Sequence, residues 1–125
     1  MNLYKDRILD HYRRPRNFGR MAKPDASYEE GNSLCGDRIG MEIKLLTHNP
    51  KLITLGEVKF WGEGCAISQA SASMLTEKVK GKSLGEIKKL GKEDILSMLG
   101  IELSPARLKC ALLPLEVLQK LITLL

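Results

Sequence analysis

The feature that most constrains the fold is a change of apolar period at Cys65. Residues 38–47, RIGMEIKLLT, alternate apolar and polar side chains, which predicts a half-buried β-strand. Residues 52–64, LITLGEVKFWGEG, predict a second strand, and the polar turn between the two predicts an antiparallel hairpin. After Cys65, residues 66–81 carry apolar side chains at helical spacing. Cys65 is therefore expected at a strand-to-helix junction.

The rest of the chain adds helices around this hairpin. A helix is expected over residues 2–13, ended by Pro15, followed by a loop with one short strand over residues 20–34. Short helices are expected after the N-cap Ser83, over residues 92–99 and after the N-cap Ser104. Pro114 predicts a break and the start of a separate C-terminal helix, and Gly56 predicts a β-bulge. We predict an α+β fold, a single domain over residues 1–125, in which helices and a C-terminal helix pack on one face of a small three-stranded antiparallel sheet.

Composition excludes several classes of function. The net charge is +5, from 20 basic and 15 acidic residues, but aromatic residues make up only 5%, so we expect no nucleic-acid partner. The sequence shows neither a signal peptide nor an apolar run long enough to span a bilayer, so we expect a cytoplasmic protein without a membrane partner. Three cysteines do not make a disulfide framework of pairs.

All three cysteines fall at predicted junctions. Cys35 precedes the first hairpin strand and Cys65 follows the second, so antiparallel pairing places both at the same edge. Asp37 lies two residues after Cys35 and faces the same side in an extended segment. Cys110 lies in the short helix before Pro114. The four residues offer three thiolates and one carboxylate to a metal, although each cysteine taken singly is also typical of a small buried hydrophobe.

The two histidines are weaker candidates for ligands. His11 lies on the first helix beside basic residues, where a solvated or capping role is expected. His48 lies in the hairpin turn, at the far end from Cys35 and Cys65, and is expected at the surface.

Four stretches together resemble a known family. DHYRRPRNFG, LCGDRI, GEGCAISQASASMLTEKVKGKS and ARLKCALLPLEVL resemble the iron–sulfur cluster scaffold proteins of the IscU, SufU and NifU N-terminal type. The resemblance implies a non-enzymatic scaffold that accepts sulfur from a cysteine desulfurase, takes up iron, builds a transient [2Fe–2S] cluster and passes it to acceptor apo-proteins. It implies that Cys35, Asp37, Cys65 and Cys110 bind the metal and the cluster, and that Cys110 is the first sulfur acceptor.

Departures from the family pattern leave alternatives open. Lys109 is typical of the SufU branch, in which zinc occupies the same site and the protein stimulates the desulfurase as a sulfur acceptor. The interval of 45 positions from Cys65 to Cys110 is closer to the IscU branch. The stretch LSPARLK, residues 103–109, does not match the chaperone-docking motif, so an Hsp70-type chaperone is a doubtful partner. Three further hypotheses are a homodimer bridged through the cluster, a basic desulfurase-binding face at residues 12–16 and a purely structural zinc domain.

Overall fold

The computed structural model describes residues 3–32 and 36–125. In chain order the elements are α1 (Leu3–Arg13), β1 (Ala26–Asn32), β2 (Asp37–Asn49), β3 (Leu52–Glu63), α2 (Ala66–Val79), α3 (Leu84–Lys88), α4 (Lys92–Leu99) and α5 (Pro105–Thr123). The predicted α+β class, three-stranded antiparallel sheet and C-terminal helix are confirmed. Within the described ranges, no helix is both long and apolar enough to cross a membrane.

The sheet has the order β1-β2-β3, and both pairings are antiparallel. Arg38 at the start of β2 pairs with Glu63 at the end of β3, so the two predicted hairpin strands meet as expected. Lys44 lies opposite Glu57 while the next residue lies opposite Leu55, which leaves Gly56 as an extra residue in β3. The bulge predicted at Gly56 is therefore confirmed.

The inner face of the sheet carries the core. Ile39, Met41 and Ile43 alternate along β2 and are fully buried, as is Phe60 on β3. Helices α2 and α5 cover this face. Trp61, the neighbour of Phe60, points to the outer face, where the Arg20 guanidinium stacks 3.7 Å from the centre of its ring. Because side chains alternate along a strand, Phe60 packs in the core and its neighbour Trp61 lies on the outer face.

Two loop segments cover the outer edge of β3. Phe60 donates its N–H to Asn17 O at 2.9 Å and accepts from Gly19 N–H at 2.8 Å. Further along the strand, Leu55 donates to Lys82 O at 2.8 Å and accepts from Gly81 N–H at 2.7 Å. Unpaired strand edges invite pairing with other chains. These loop contacts pair backbone groups at two positions of β3 and block the edge there.

Small residues bring α2 close to α5. Ala70, Ser71, Ala72 and Ser73 on α2 are all fully buried. Ser71 Oγ donates a buried hydrogen bond of 2.7 Å to the carbonyl of Ala111 on α5. Because small side chains let helix backbones approach closely, Ser71 lies directly against α5, the helix that carries Cys110.

The break predicted at Pro114 is wrong, because α5 is continuous from Pro105 to Thr123 and contains Pro114 in its interior. A proline inside a helix costs about 3 kcal/mol. Burying one leucine or valine contributes about 1.5–3 kcal/mol, and Leu113, Leu115 and Val117 beside the proline are all buried. Apolar burial on both sides of the proline therefore outweighs its cost. The predicted N-cap at Ser104 is confirmed, since its hydroxyl accepts from Arg107 N–H.

The surface role predicted for His11 is also wrong. His11 is 5% exposed, and its Nδ1 lies 2.8 Å from Ser73 Oγ on α2. Ser73 Oγ also accepts from the backbone N–H of Arg16 at 2.8 Å. Burial is the largest cause that lowers the pKa of His11, followed by the positive charge of Arg16. His11 therefore joins α1 to α2 as a buried polar contact.

Candidate metal centre

Three of the four predicted ligands converge at one end of the sheet. Asp37 begins β2, Cys65 is the N-cap residue of α2, and Cys110 lies in the second turn of α5. One ligand atom from each of them lies within 4.8 Å of the other two. Asp37 and Cys110 are buried and Cys65 is half-buried. The strand start, the helix N-terminus and the second helix thus contribute one donor each.

Asp37 and Cys65 are joined directly. The backbone N–H of Cys65 donates to Asp37 Oδ1 at 3.0 Å, and Cys65 Sγ lies 3.8 Å from Asp37 Oδ2. The pairing of Arg38 with Glu63 is what brings the strand ends together. The hydrogen bond fixes one carboxylate oxygen on the backbone and leaves the other oriented towards the sulfur.

The N-terminus of α2 supplies a favourable electrostatic environment for anionic ligands. Helix N-termini carry partial positive charge, and the first turn of α2 contains no acidic residue. The groups next to this terminus are the Cys65 sulfur and the Asp37 carboxylate. Ser68 in the first turn is fully buried, and its hydroxyl donates to Cys65 O at 3.1 Å and lies 3.9 Å from Cys65 Sγ.

The positively charged residue next to Asp37 on β2 is Arg38, and it pairs with Glu29. Arg38 follows Asp37, so its side chain leaves the opposite face of β2. Its Nη1 bonds Glu29 Oε1 at 2.6 Å on that face. This hydrogen bond is the largest cause that lowers the pKa of Glu29, and the Trp61 indole N–H adds a second one. The Arg38–Glu29 pair thus belongs to the outer face of the sheet, away from the metal centre.

Comparison with known proteins decides the family. Residues 3–124 match the family model described as NifU-like N terminal domain. The chain belongs to the NifU-like N-terminal domain family.

Two curated relatives of this family member carry different functional names. The zinc-dependent sulfurtransferase SufU of Bacillus subtilis (strain 168) is 37% identical, over 94% of this chain and 88% of the relative. The iron–sulfur cluster assembly scaffold protein IscU of Aquifex aeolicus is also 37% identical, over 92% of this chain and 71% of the relative. The solved structure of FiSufU from Fervidobacterium islandicum AW-1 has a TM-score of 0.80 and 25% identity, covering 94% of each chain.

The geometry of this NifU-like domain fits a tetrahedral metal. Zinc binds thiolate sulfur at about 2.3 Å and carboxylate oxygen at about 2.0–2.2 Å, so two ligand atoms on one zinc are separated by about 3.5–3.8 Å. The separation of 3.8 Å between Cys65 Sγ and Asp37 Oδ2 matches this value. The distances within the group, up to 4.8 Å, need only small side-chain adjustments to meet it. Thiolates are also the usual ligands of iron–sulfur clusters.

The sequence predicted the residues that converge here but not the contacts that support them. Asp37, Cys65 and Cys110 converge as predicted, whereas Cys35 lies outside the described residues. His48 is exposed as expected, but it lies near the end of β2 and not in the turn, and it hydrogen-bonds Thr54. Sequence reasoning missed Ser68, for which the signal was its position three residues after Cys65 at a helix N-terminus.

Proposed function

We propose that the chain is a scaffold for iron–sulfur cluster assembly. The observation that carries this proposal is the convergence of Asp37, Cys65 and Cys110 within 4.8 Å, in a chain similar to named scaffold proteins. Two thiolates can hold iron and sulfide, while a carboxylate is a weaker ligand for a cluster than a further thiolate. A scaffold must release its cargo, and a weaker ligand favours release. In this role the protein holds iron and sulfide as substrates and turns over no product of its own.

The proposed fourth ligand is Cys35. The motif LCGD places Cys35 two residues before Asp37 in the sequence. On this basis Cys35 supplies the third thiolate. Together the four residues bind a transient [2Fe–2S] cluster, and zinc binds the same donors when iron is absent. We propose further that residues 1–125 act as one domain in this process.

Cys110 is the proposed acceptor of sulfur. Its thiolate attacks the outer sulfur of a persulfide on the donor enzyme; a Cys110 S–S bond forms, the donor S–S bond breaks, and the donor cysteine leaves as a thiolate. Cys110 is 4% exposed, so this transfer requires the segments around it to move when the donor docks. Cys65 is more accessible and completes the site from the helix N-terminus.

Anaerobic reconstitution tests the scaffold function. The protein is incubated with ferrous iron and sulfide, and visible charge-transfer bands of a cluster are expected. Cys35→Ala, Cys65→Ala and Cys110→Ala are each expected to weaken or abolish these bands, while Ser97→Ala on the exposed face of α4 serves as the control. Unchanged bands in all three cysteine variants would rule the function out.

A zinc-dependent sulfur acceptor is the alternative, and two observations favour it. The Bacillus subtilis relative is named a zinc-dependent sulfurtransferase, and Lys109 precedes Cys110 as in the SufU branch. This function predicts one zinc bound as purified without air and a desulfurase that is strongly stimulated by the zinc form alone. Equal stimulation by metal-free protein would exclude it.

The partners proposed on this basis are a cysteine desulfurase and acceptor apo-proteins. The basic face expected at residues 12–16 has less unpaired positive charge than the sequence indicates. Arg16 hydrogen-bonds Asp10, and Arg14 forms an ion pair with the same carboxylate. Arg13 is exposed beside them. Charge reversal at Arg13 and Arg14 is expected to weaken binding of the desulfurase, and unchanged binding would remove this face from the interface.

A further inference from the structure

Gly64 lies against the metal centre and has no room for a side chain. A Cβ atom built on Gly64 would lie 2.5 Å from Asp37 Oδ1 and 2.8 Å from Asp37 Cγ, and would overlap Ser68 Oγ. Real Cβ atoms do not approach other atoms this closely. Gly64 does not have a positive φ, in contrast to Gly62, whose φ is 140°. An alanine at position 64 is therefore opposed by lack of space and not by backbone conformation.

The space at Gly64 is filled by the carboxylate that the metal centre uses. Asp37 Oδ1 accepts from the N–H of Cys65, which belongs to the peptide group joining residues 64 and 65. The carboxylate thus packs over the Cα of Gly64 while it makes this hydrogen bond. A methyl group at position 64 must push the carboxylate away from the Cys65 N–H and from its place beside Cys65 Sγ.

We propose that Gly64 is a positioning residue that admits the Asp37 carboxylate to the metal centre. A side chain at position 64 displaces the oxygen ligand and leaves the thiols of Cys65 and Cys110 in place. The proposal rests on the proposed function, because it requires the metal centre. It adds a residue that decides whether Asp37 can reach the metal. Residues that orient a metal ligand typically change metal affinity about 10- to 100-fold when they are altered.

Ser68 separates this effect from general crowding. Its hydroxyl is the third close neighbour of the added Cβ, and it donates to Cys65 O. In Gly64→Ala/Ser68→Ala the hydroxyl is gone and the two close contacts that remain are with Asp37. In Gly64→Ala/Asp37→Ala the carboxylate contacts are gone instead. Comparing the two double variants shows which neighbour the methyl group displaces.

Zinc affinity and cobalt spectra of the full chain test the proposal. Zinc affinity is measured by competition with a chromophoric chelator, and anaerobic Co²⁺ reports thiolate ligands through sulfur-to-metal charge-transfer absorption. Gly64→Ala is expected to raise the zinc dissociation constant about 10- to 100-fold while the charge-transfer absorption persists. Asp37→Ala is expected to give the same result, and the double variant no further loss, because both changes remove one ligand. Gly85→Ala is the matched control, since its added Cβ meets nothing closer than 4.0 Å.

A measurement without metal covers the case in which Gly64→Ala folds poorly. With chelator present, Asp37→Ala is expected to raise the thermal midpoint in the Gly64→Ala background, because it removes the displaced carboxylate. A lower midpoint in that background would overturn the proposal. So would wild-type zinc affinity in Gly64→Ala, or a loss of affinity that adds to that of Asp37→Ala.

The cysteine variants distinguish failure of this inference from failure of the proposed function. Cys65→Ala and Cys110→Ala are expected to lose zinc affinity and the thiolate charge-transfer absorption. If they bind both metals as the unaltered protein does, the metal centre itself is wrong. If they lose binding while Gly64→Ala retains it in full, only the positioning role of Gly64 is wrong.

Discussion

Ser71 and Ala111 are joined by a buried hydrogen bond of 2.7 Å between α2 and α5. Ala111 directly follows Cys110, and Ser71 lies less than two turns after Cys65. The contact therefore holds the two thiol-bearing helices in register, close to the proposed metal centre.

Removal of this contact gives the first prediction. Ser71→Ala is expected to lower the free energy of unfolding by about 1 kcal/mol, because one buried hydrogen bond is lost. It is also expected to weaken zinc binding, because the relative placement of α2 and α5 is relaxed. Urea denaturation and zinc competition measure the two effects. Ser97→Ala on α4, where the serine is exposed, is the control, and an equal result in both variants would contradict the prediction.

The second prediction concerns the glycine that turns the chain before Cys65. Gly62 has φ of 140°, and an added Cβ would overlap the carbonyl oxygen of Arg38. Gly19 has a similar φ of 131° but no atom within 4 Å of its added Cβ. Positive φ at a non-glycine residue costs about 1–3 kcal/mol. Gly62→Ala is therefore expected to lose clearly more stability in urea denaturation than Gly19→Ala, and equal losses would count against the steric argument.

Acid destabilisation through His11 is the third prediction. Burial and the charges of Arg16 and Arg7 lower the pKa of His11 below the ordinary value for a histidine, against the opposing charges of Glu77 and Asp10. Between the folded and the unfolded pKa, His11 is protonated in the unfolded chain and neutral in the folded chain. The free energy of unfolding therefore rises with pH in this interval. The contribution of neutral His11 is complete above about pH 6.5 and is lost as pH falls through the window between the unfolded and the folded pKa.

Variants at the two histidines check this sign. His11→Asn keeps a polar partner near Ser73 but does not titrate, so its unfolding free energy is expected to depend less on pH between about 4 and 7. His48→Asn, at an exposed position, is the control for replacing a histidine by asparagine. A pH profile of His11→Asn that parallels that of the unaltered protein would contradict the assignment.

Metal removal is the fourth prediction. Zinc at about 100 times its dissociation constant is expected to add about 2.7 kcal/mol to the free energy of unfolding, a rise of roughly 10 °C in the thermal midpoint. Chelation is expected to reverse this rise but to leave the protein folded, because the core runs from Ile8 on α1 to Ile122 on α5 without the metal. Far-ultraviolet circular dichroism follows both steps. Unfolding on chelation would instead indicate a structural zinc domain.

The hairpin and the proximity of Asp37 to Cys65 were predictable because both depend on local pattern. The alternation of residues 38–47 and the change of period at Cys65 defined the hairpin, and antiparallel pairing then placed Asp37 beside Cys65. The family resemblance added Cys110 and the predicted role of these residues as metal ligands. These inferences needed no knowledge of how the helices pack.

The errors arose where packing between distant segments decides the outcome. His11 is buried because Ser73, 62 residues later, lies against α1, and no local pattern around His11 indicates this contact. The helix continues through Pro114 because leucines on both sides of it are buried by the sheet and by α2. The steric role of Gly64 likewise depends on the Asp37 side chain, 27 positions earlier in the sequence.

Pro114 has one more effect on α5. Proline has no amide hydrogen, so it cannot donate to the carbonyl of Cys110 four residues before it, and its ring crowds that carbonyl. The longest helix that the structure describes thus lacks one internal hydrogen bond at the turn that bears the proposed sulfur acceptor. A docking partner would need to disrupt one backbone hydrogen bond fewer to draw this thiol outwards than it would from an uninterrupted helix.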